Sequence, residues 1–244
     1  MKIIIEKNAD ALGLAAARHT AALLREAINV NGSARLLLST GASQFEALSA
    51  LIKQDVDWSK VEMFHLDEYV ALPEAHIASF RKYLKERFVS QVPLKAAYFV
   101  NGEGNVEENI SALSEKLLEA PIDVGLIGIG ENGHIAFNDP PADLENEACY
   151  KVVDLNERCK QQQVNEGWFA NTSEVPKQAI SMTVKQILKC RHILSIVPNV
   201  RKAEAIKNTL SQEPNNMVPA TQLKTHDDWT LYIDSGSAGQ IILY

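Results

Sequence analysis

The chain has 244 residues, of which 46% are hydrophobic and 23% charged, so it can bury a core without disulfides. Its formal net charge of −7 argues against nucleic acid as the main partner, but it leaves an anionic small molecule open. No apolar run has the length of a secretory leader or a membrane span, and the three cysteines lack metal or redox spacing. These features predict a cytoplasmic protein with no membrane partner.

Short apolar runs alternate with segments of helical periodicity along most of the chain. The apolar runs predict strands at 2–6, 35–38, 61–66, 98–100, 150–153, 191–197 and 229–234, and one more that starts at Asp123. The periodic segments predict helices at 10–29, 44–53, 79–89, 106–118, 184–189 and 198–210. This alternation is typical of an α/β fold with a mostly parallel sheet and helices on both faces. No linker or repeat divides the chain, so residues 1–244 are interpreted as a single domain.

The first polar loop follows the strand at 35–38 and reads Ser39-Thr40-Gly41-Ala42-Ser43. Small hydroxyl residues around a glycine, between a strand and the start of a helix, favour a phosphate site because free backbone N–H groups would face an anion there. No Gly-Lys-Ser/Thr follows, so the loop is not a Walker loop. Capping of the next helix by a hydroxyl group is the alternative interpretation.

Two adjacent carboxylates, Asp67 and Glu68, follow the strand at 61–66. Successive side chains of an extended chain point to opposite faces, so only one of the two can enter a given pocket. One is a candidate base, and the other is interpreted as structural; a solvated acidic loop is the alternative. The basic residues of the next helix are interpreted as its solvated face; they are Arg81, Lys82, Lys85 and Arg87.

A glycine-rich loop ends the central strand. Gly128, Gly130 and Gly133 have the spacing of a dinucleotide fingerprint, but that fingerprint needs a helix that opens at the third glycine. Pro140 and Pro141 would stop such a helix within two turns. Nicotinamide and flavin cofactors are therefore not expected.

The same loop carries His134, which follows glycines instead of lying in a core pattern. Asp139, five residues later, is placed to hold one tautomer of the imidazole and to stabilise its cation. A structural, hydrogen-bonded histidine is the alternative, and a metal site is disfavoured because no second histidine stands at ligand spacing. Lys202, after the strand at 191–197, is a second candidate for anion binding or else a solvated helix lysine.

These polar groups lie at or near the predicted ends of strands, where open α/β sheets bind ligands. A carboxylate, a histidine and an anion loop that converge there suggest proton transfer on a phosphorylated metabolite. The polar segment from 154 to 170, which ends in an aromatic pair, is interpreted either as a mobile lid or as a surface helix and turn.

These motifs, in this order, resemble the glucosamine-6-phosphate deaminase (isomerase) family over nearly the whole chain. The residues that carry the resemblance are Gly128 to Pro140, Leu66 to Pro73, His76 to Phe80, Ser39 to Ser43, Val175 to Val184 and Arg201 to Ala203.

The resemblance implies a Rossmann-like α/β fold and a reaction without metal or cofactor. In that reaction an amino-sugar 6-phosphate is isomerised and deaminated to a ketose 6-phosphate and ammonia. By this resemblance Asp67 is the base that moves a proton between C2 and C1, His134 assists opening of the sugar ring, and Asp139 orients His134. Asn132 lines the same loop. By the same resemblance, the residues that bind the substrate and its phosphate are Ser39, Thr40, Gly41, Ala42, Ser43, Gly130 and Lys202.

Three positions depart from the family pattern. The family usually has glutamate where this chain has Asp139, a carboxylate one methylene shorter. Gln163 stands where the best-known members have a phosphate-binding arginine, and Arg158 is the nearest basic alternative. Cys149 stands where allosterically activated members have a basic residue, so no such activation is expected.

Four functions are weighed on this resemblance. The main expectation is conversion of glucosamine 6-phosphate to fructose 6-phosphate and ammonia. A galactosamine-6-phosphate enzyme is the runner-up, followed by 6-phosphogluconolactonase and by a non-catalytic sugar-phosphate sensor. The segments Phe137 to Pro140 and Asp67 to Tyr69 resemble the deaminase more than the lactonase, and no basic DNA-reading module is visible. Assembly into a homo-oligomer is left open.

Overall fold

The computed structural model describes residues 1–241. Ten strands are described: β1 (Lys2–Glu6), β2 (Ala34–Leu38), β3 (Val61–His65), β4 (Asp67–Tyr69), β5 (Ala96–Tyr98), β6 (Val124–Leu126), β7 (Tyr150–Asp154), β8 (Gln178–Met182), β9 (His192–Val197) and β10 (Trp229–Asp234). Seven α-helices are described with them: α1 (Ala9–Asn31), α2 (Phe45–Leu51), α3 (Phe80–Arg87), α4 (Val106–Leu118), α5 (Glu157–Asn165), α6 (Val184–Ile187) and α7 (Ala203–Ser211). None of these helices is long and apolar enough to cross a membrane.

A seven-stranded sheet forms the centre of the molecule, in the order β1-β10-β9-β6-β2-β3-β5, and every pair in it is parallel. Alternate residues of its strands enter two apolar clusters: Leu37 packs into one, and Leu36 and Leu38 pack into the other. Strands buried on both faces read as continuous apolar runs, which is why the sequence predicts them. The predicted α/β fold with a mostly parallel sheet is confirmed.

Local signals in the sequence explain where the first helix begins and ends. The Asn8 side chain accepts a hydrogen bond from the Ala11 N–H at 3.0 Å and caps the start of α1. Gly32, with a φ of 76°, ends the helix, and its N–H donates to the Ile28 carbonyl. The helix is therefore longer by one or two residues at each end than the predicted 10–29.

A second sheet, in the order β4-β8-β7, is antiparallel and was not expected from the alternation of strands and helices. The predicted strand at 150–153 exists as β7, but it pairs with β8 and does not join the parallel sheet. The chain leaves β3 at Leu66, and Asp67 then pairs with Ser181 of β8. This switch between sheets places Asp67 beside the carboxyl ends of the parallel strands.

Two further expectations need correction. The strand predicted at 98–100 lies at Ala96–Tyr98, where it pairs with β3. The basic residues of α3 do not all form a solvated face, because Arg81 is buried and its Nε lies 3.3 Å from a Glu68 carboxylate oxygen. A buried carboxylate needs a cationic or hydrogen-bonding partner, and Arg81 provides both.

Four neighbouring strands bring the polar loops together. In the order β9-β6-β2-β3, the loops that follow them are 198–202, 127–134, 39–43 and 66–69. The chain runs outward from β2 to β5 and then returns to β6 on the other side of β2. Parallel sheets bind ligands at such a switch point, outside the carboxyl ends of the strands.

Candidate active site

One pocket lies at the carboxyl ends of these four strands, and the predicted loops form most of its wall. Helix α3 contributes Phe80, and the segment around α5 closes the opposite side with Gln163 and Trp168. The predicted site residues that line it are Ser39, Thr40, Gly41, Ala42, Ser43, Asp67, Gly130, His134 and Lys202. Asn132 and Asp139 lie behind His134 and contact its ring.

The segment from Ser39 to Gln44 is hydrogen-bonded to β6, to the loop that follows β6, and to β9. Ser39 donates its N–H to the Leu126 carbonyl at 3.1 Å, and its hydroxyl accepts from the Gly128 N–H at 3.2 Å. The Gln44 amide donates to the Ile196 carbonyl at 3.1 Å. A 3₁₀ turn over Ala42–Gln44 follows, so α2 begins only at Phe45 and ends two residues before the predicted end at 53.

Asp67 lies in the pocket wall, only 6% exposed. No hydrogen bond to its carboxylate is found from any other group within residues 1–241. Burial raises its pKa to about 8, and the nearby charge of Glu68 adds to the effect. The carboxyl group therefore has a proton affinity close to that expected of a base that works near neutral pH.

Glu68 points to the other side of the strand, as the alternation of side chains predicts. Its carboxylate accepts from the Arg81 N–H at 2.8 Å, from the Ser79 hydroxyl at 3.0 Å and from the Tyr69 N–H at 2.9 Å. Burial raises its pKa, while these backbone donors and the charge of Arg81 oppose that rise. Glu68 thus fixes the start of α3 and is remote from the pocket wall.

The glycines of the His134 loop give the imidazole its place. A Cβ on Gly130 would collide with the His134 ring, so only glycine allows the ring to lie against the backbone there. Gly133 has a φ of 83° and donates its N–H to the Gly130 carbonyl at 3.0 Å. The loop is a tight turn, and no helix opens at the third glycine of the apparent fingerprint.

The tautomer of His134 follows from its partners. Nδ1 lies 2.6 Å from the Asn132 side-chain oxygen and 3.1 Å from a carboxylate oxygen of Asp139. Both partners are acceptors in this arrangement, because the Asn132 amide nitrogen itself donates to the same Asp139 oxygen at 2.9 Å. Nδ1 therefore carries the proton, and Nε2 is left with a free lone pair.

Asp139 is held by several donors, although its side chain is one methylene shorter than the glutamate typical of the family. Besides His134 and Asn132, the Asn156 amide lies 3.4 Å from its second oxygen. Burial acts to raise its pKa, but the hydrogen bond and charge of His134 and the hydrogen bond from Asn132 outweigh it, so the pKa is lowered. The aspartate is thus a stable anion that reaches the imidazole.

Lys202 lies in the segment that follows β9 and lines the pocket. It ends a 3₁₀ turn over Val200–Lys202, and this turn is anchored at Asn199, whose N–H donates to the Asp234 carboxylate at 3.0 and 3.1 Å. Burial lowers the pKa of Lys202, while the carboxylates of Glu166 and Glu131 act in the opposite direction. A half-buried cation of this kind gains free energy when an anion enters the pocket.

The polar segment from 154 to 170 contains helix α5, and part of its surface lines the pocket. Gln163 is buried and accepts a hydrogen bond from the Tyr69 hydroxyl at 2.7 Å, whereas Arg158 is exposed and outside the pocket wall. Glu166 accepts from the Gln162 amide at 2.8 Å and from the Trp168 indole N–H at 3.2 Å.

Some lining residues were not assigned to the site from the sequence; they are Phe80, Glu131, Gln162, Glu166, Trp168, Asn199 and Arg201. Most are direct neighbours in sequence of predicted site residues or lie in the polar segment that ends in an aromatic pair. Their position in the sequence could have pointed to the site, but it does not show which side chains face the pocket. Within residues 1–241, no three His, Cys, Asp or Glu side chains are grouped so as to hold a metal ion.

The arrangement can do proton-transfer chemistry on an anionic ligand. Loop 39–43 and Lys202 provide backbone donors and a cation in the pocket wall. Asp67 and the free Nε2 of His134 are two groups in the same pocket that can transfer protons. An anion held at one end would position the rest of a small molecule against these two groups.

Comparisons with known proteins agree with this chemistry. Residues 7–232 match the sequence model of the family described as glucosamine-6-phosphate isomerases/6-phosphogluconolactonase. A glucosamine-6-phosphate deaminase of Staphylococcus epidermidis is 37% identical over 247 aligned residues, covering 98% of each chain. One of Streptococcus pneumoniae serotype 4 is 33% identical over 214 residues, covering 87% of this chain and 90% of the relative.

Solved structures place the fold in the same group. The structure of a monomeric glucosamine-6-phosphate deaminase, described as a missing link of the NagB superfamily, superposes with a TM-score of 0.90 at 28% identity, covering 99% of this chain and all of the other. The 6-phosphogluconolactonase of Trypanosoma brucei superposes with a TM-score of 0.81 at 13% identity, covering 99% and 98% of the two chains. The second likeness shows a shared fold.

Proposed function

Because the chain belongs to the family of glucosamine-6-phosphate isomerases and 6-phosphogluconolactonases, we propose that it is a glucosamine-6-phosphate deaminase. It converts glucosamine 6-phosphate and water into fructose 6-phosphate and ammonia. The main structural support is the environment of Asp67, a buried carboxyl group without hydrogen-bonding partners in residues 1–241. It lines the same pocket as the loop proposed to bind the anion and as His134, whose ring is oriented by Asn132.

Phosphate binding is the first step of the proposed mechanism. The backbone N–H groups and hydroxyls of Ser39 to Ser43 hold the phosphate of the substrate, and Lys202 adds a charge-assisted contact. Gln163 supports the same ligand from α5, since it lies in the pocket wall and Arg158 does not. The bound phosphate fixes the distance from the anchored end of the sugar to its reacting carbons.

Ring opening and proton transfer follow. The Nε2 of His134 exchanges a proton with the sugar ring and its C1 hydroxyl, while Asp139 and Asn132 keep Nδ1 protonated. Asp67 removes the proton from C2 of the open chain and returns it to C1, which converts the aldose into a ketose-level imine. Water then adds at C2, and ammonia leaves. Carbon, nitrogen and protons balance without an external oxidant or reductant.

The preferred substrate is glucosamine 6-phosphate and not its galactose epimer, because relatives at 33% and 37% identity are glucosamine-6-phosphate deaminases. The lactonases are related at the level of the fold. The three cysteines are free and buried, which is consistent with an enzyme of the reducing cytoplasm. There the enzyme would act in the breakdown of amino sugars. A monomeric glucosamine-6-phosphate deaminase superposes with a TM-score of 0.90, which supports the proposal that a monomer is sufficient for activity.

The test is ammonia release from glucosamine 6-phosphate and galactosamine 6-phosphate, with hydrolysis of 6-phosphogluconolactone measured separately. We expect ammonia release from glucosamine 6-phosphate at a higher kcat/KM than from galactosamine 6-phosphate. The rate of lactone hydrolysis should not exceed the rate measured with the Asp67→Asn variant. Lactone hydrolysis without ammonia would replace the deaminase with a lactonase. Binding of the sugar phosphates without any turnover would make the protein a sensor.

A further inference from the structure

The peptide between Gly41 and Ala42 is held from outside the pocket. The Gly41 carbonyl accepts two hydrogen bonds, one from the Tyr83 hydroxyl at 2.9 Å and one from the Gln44 N–H at 3.1 Å. Gly41 and Ala42 line the pocket, but Tyr83 and Gln44 do not. Both lone pairs of this carbonyl are therefore used by donors that lie behind the loop.

The orientation of that carbonyl sets the direction of the next N–H. In a trans peptide the C=O and the N–H point to opposite sides of the plane. Since the Gly41 carbonyl faces Tyr83, the Ala42 N–H faces the opposite way, toward the pocket. Ala42 begins a 3₁₀ turn, where the first N–H groups have no partner within the turn, so this donor is free for a ligand.

The backbone at Gly41 needs such an external restraint. Its φ of 106° and ψ of 164° lie in a region that only glycine enters readily, and glycine is also free to leave it. A Cβ at Gly41 would meet no atom within 4 Å, so the backbone conformation, and not lack of space, calls for glycine. Without the Tyr83 hydrogen bond, only the Gln44 N–H holds this carbonyl, so the peptide rotates more readily and turns its N–H away for part of the time.

Tyr83 is itself held rigidly. Its ring stacks on Phe45 with centroids 5.6 Å apart and planes at 20°, and the Arg87 guanidinium lies 3.9 Å from the centroid of the Phe45 ring. Phe45 is the first residue of α2 and follows the loop closely, so this stacking also restrains the C-terminal end of the loop. Tyr83 is 6% exposed, and burial raises the pKa of its phenol, so it stays a donor across the working pH range.

We propose that Tyr83 is a positioning residue for the phosphate group: by holding the Gly41 carbonyl outward, it presents the Ala42 N–H to a phosphate oxygen. This inference rests on the proposed function, in which loop 39–43 takes the phosphate of the sugar. It adds a residue of α3, outside the pocket wall, to the groups that determine phosphate affinity. The ligand it serves is any phosphate monoester of suitable size, or inorganic phosphate itself.

The variant Tyr83→Phe removes one hydroxyl and keeps the aromatic stack. Calorimetry with inorganic phosphate should give a Kd raised roughly threefold to tenfold, the range expected for loss of one positioned hydrogen bond. The KM for glucosamine 6-phosphate should rise by a similar factor, with kcat unchanged, because the lost contact is equal in ground and transition states. Tyr98→Phe is the matched control, since Tyr98 lies on β5 outside the pocket wall, and it should bind phosphate like the unmodified protein.

A second readout follows the donor directly. In ¹⁵N-labelled protein, the Ala42 amide resonance should shift on addition of inorganic phosphate, and the shift should be smaller in Tyr83→Phe. An unchanged Kd for phosphate, or an Ala42 resonance that ignores phosphate, would overturn the inference. A fall in kcat with KM unchanged would overturn it as well, because Tyr83 would then act on the chemistry. The phosphate titration needs no turnover, so its result is separate from a failure of the unmodified protein to release ammonia.

Discussion

Two buried carboxylates, one in the pocket wall and one behind His134, have different surroundings. Asp67, the first residue of β4, is buried and accepts no hydrogen bond from residues 1–241, and its pKa is raised to about 8. Asp139, in the loop after β6, is held by His134 and by Asn132 at 2.9 Å, and its pKa is lowered. A carboxyl group that is buried without hydrogen-bond donors thus becomes a proton acceptor near neutral pH, whereas one that is buried with donors remains an anion.

The two regions achieve this with different backbones. Asp67 lies where the chain passes from the parallel sheet to the antiparallel one, so its side chain has a strand on one side and the open pocket on the other. Asp139 follows a tight glycine turn that stacks polar side chains against each other. Substitution of either carboxylate should therefore change activity, and the two substitutions should do so in different ways.

The largest effect is expected from Asp67→Asn. An amide of the same shape cannot accept the C2 proton, so turnover of glucosamine 6-phosphate should fall roughly a thousandfold or more. Ammonia release under saturating substrate measures this. Glu68→Gln is the matched control: it weakens the hydrogen bonds to Ser79 and Arg81 and should lower the unfolding temperature more than kcat. Near-normal turnover by the Asp67 variant would exclude it as the base.

A smaller loss is expected from Asp139→Ala. The imidazole keeps its Asn132 contact but loses the carboxylate beside Nδ1, so kcat should fall roughly a hundredfold, while the inflection near pH 8 that Asp67 sets should persist. Asp139→Glu restores the carboxylate typical of the family and should retain most activity. A kcat equal to that of the unmodified enzyme would remove Asp139 from its role beside His134.

Lys202→Ala tests the phosphate end of the pocket. Loss of one charge-assisted contact should raise KM for the sugar phosphate roughly tenfold to thirtyfold, with a smaller change in kcat. Lys207→Ala, on the exposed surface of α7, is the control for loss of a positive charge and should change KM little. If unphosphorylated glucosamine competes as well as its 6-phosphate in the unmodified protein, the assignment of this end to phosphate is wrong.

The last prediction concerns stability and not activity. The pKa of Asp67 is raised from an ordinary 3.8 to about 8, so between these pH values the folded protein holds a proton that the unfolded chain has released. Its contribution to stability is therefore lost as pH rises from about 4 to about 8, by about 1 kcal/mol per pH unit. Urea unfolding at pH 5 and pH 8 should show Asp67→Asn more stable relative to the unmodified protein at the higher pH. An equal difference at both pH values would contradict the raised pKa.

The parallel sheet and its ligand loops could be predicted because the signals are local. Strands such as Arg35 to Leu38 are continuous apolar runs, and the residues that follow them are glycines, serines, an aspartate and a histidine. Adjacent positions on a strand also separate Asp67 from Glu68 without knowledge of the fold. The substrate came from resemblance to a family, since phosphate loops and carboxylates serve many reactions.

The remainder of the site depends on contacts between distant segments. The three residues of β4, Asp67 to Tyr69, have no strand pattern, and only their pairing with β8 makes them a strand. An amphipathic pattern cannot distinguish the buried Arg81 from a solvated arginine, because its partner Glu68 lies in another element. The Tyr83 hydroxyl reaches a carbonyl 42 positions earlier in the chain, which no local signal reveals.

The role of Asp67 as the base is tested by the pH dependence of kcat/KM for ammonia release from glucosamine 6-phosphate, measured from pH 5 to pH 9 for the unmodified protein and for Asp67→Asn. The kcat/KM of the unmodified enzyme should rise with pH and level off above a pKa near 8, because only the ionised Asp67 accepts a proton. The variant should be roughly a thousandfold less active on the plateau above pH 8 and lack this inflection, so the difference between the two proteins should shrink toward pH 5. A flat profile for the unmodified enzyme, or the same inflection at high activity in the variant, would contradict the account.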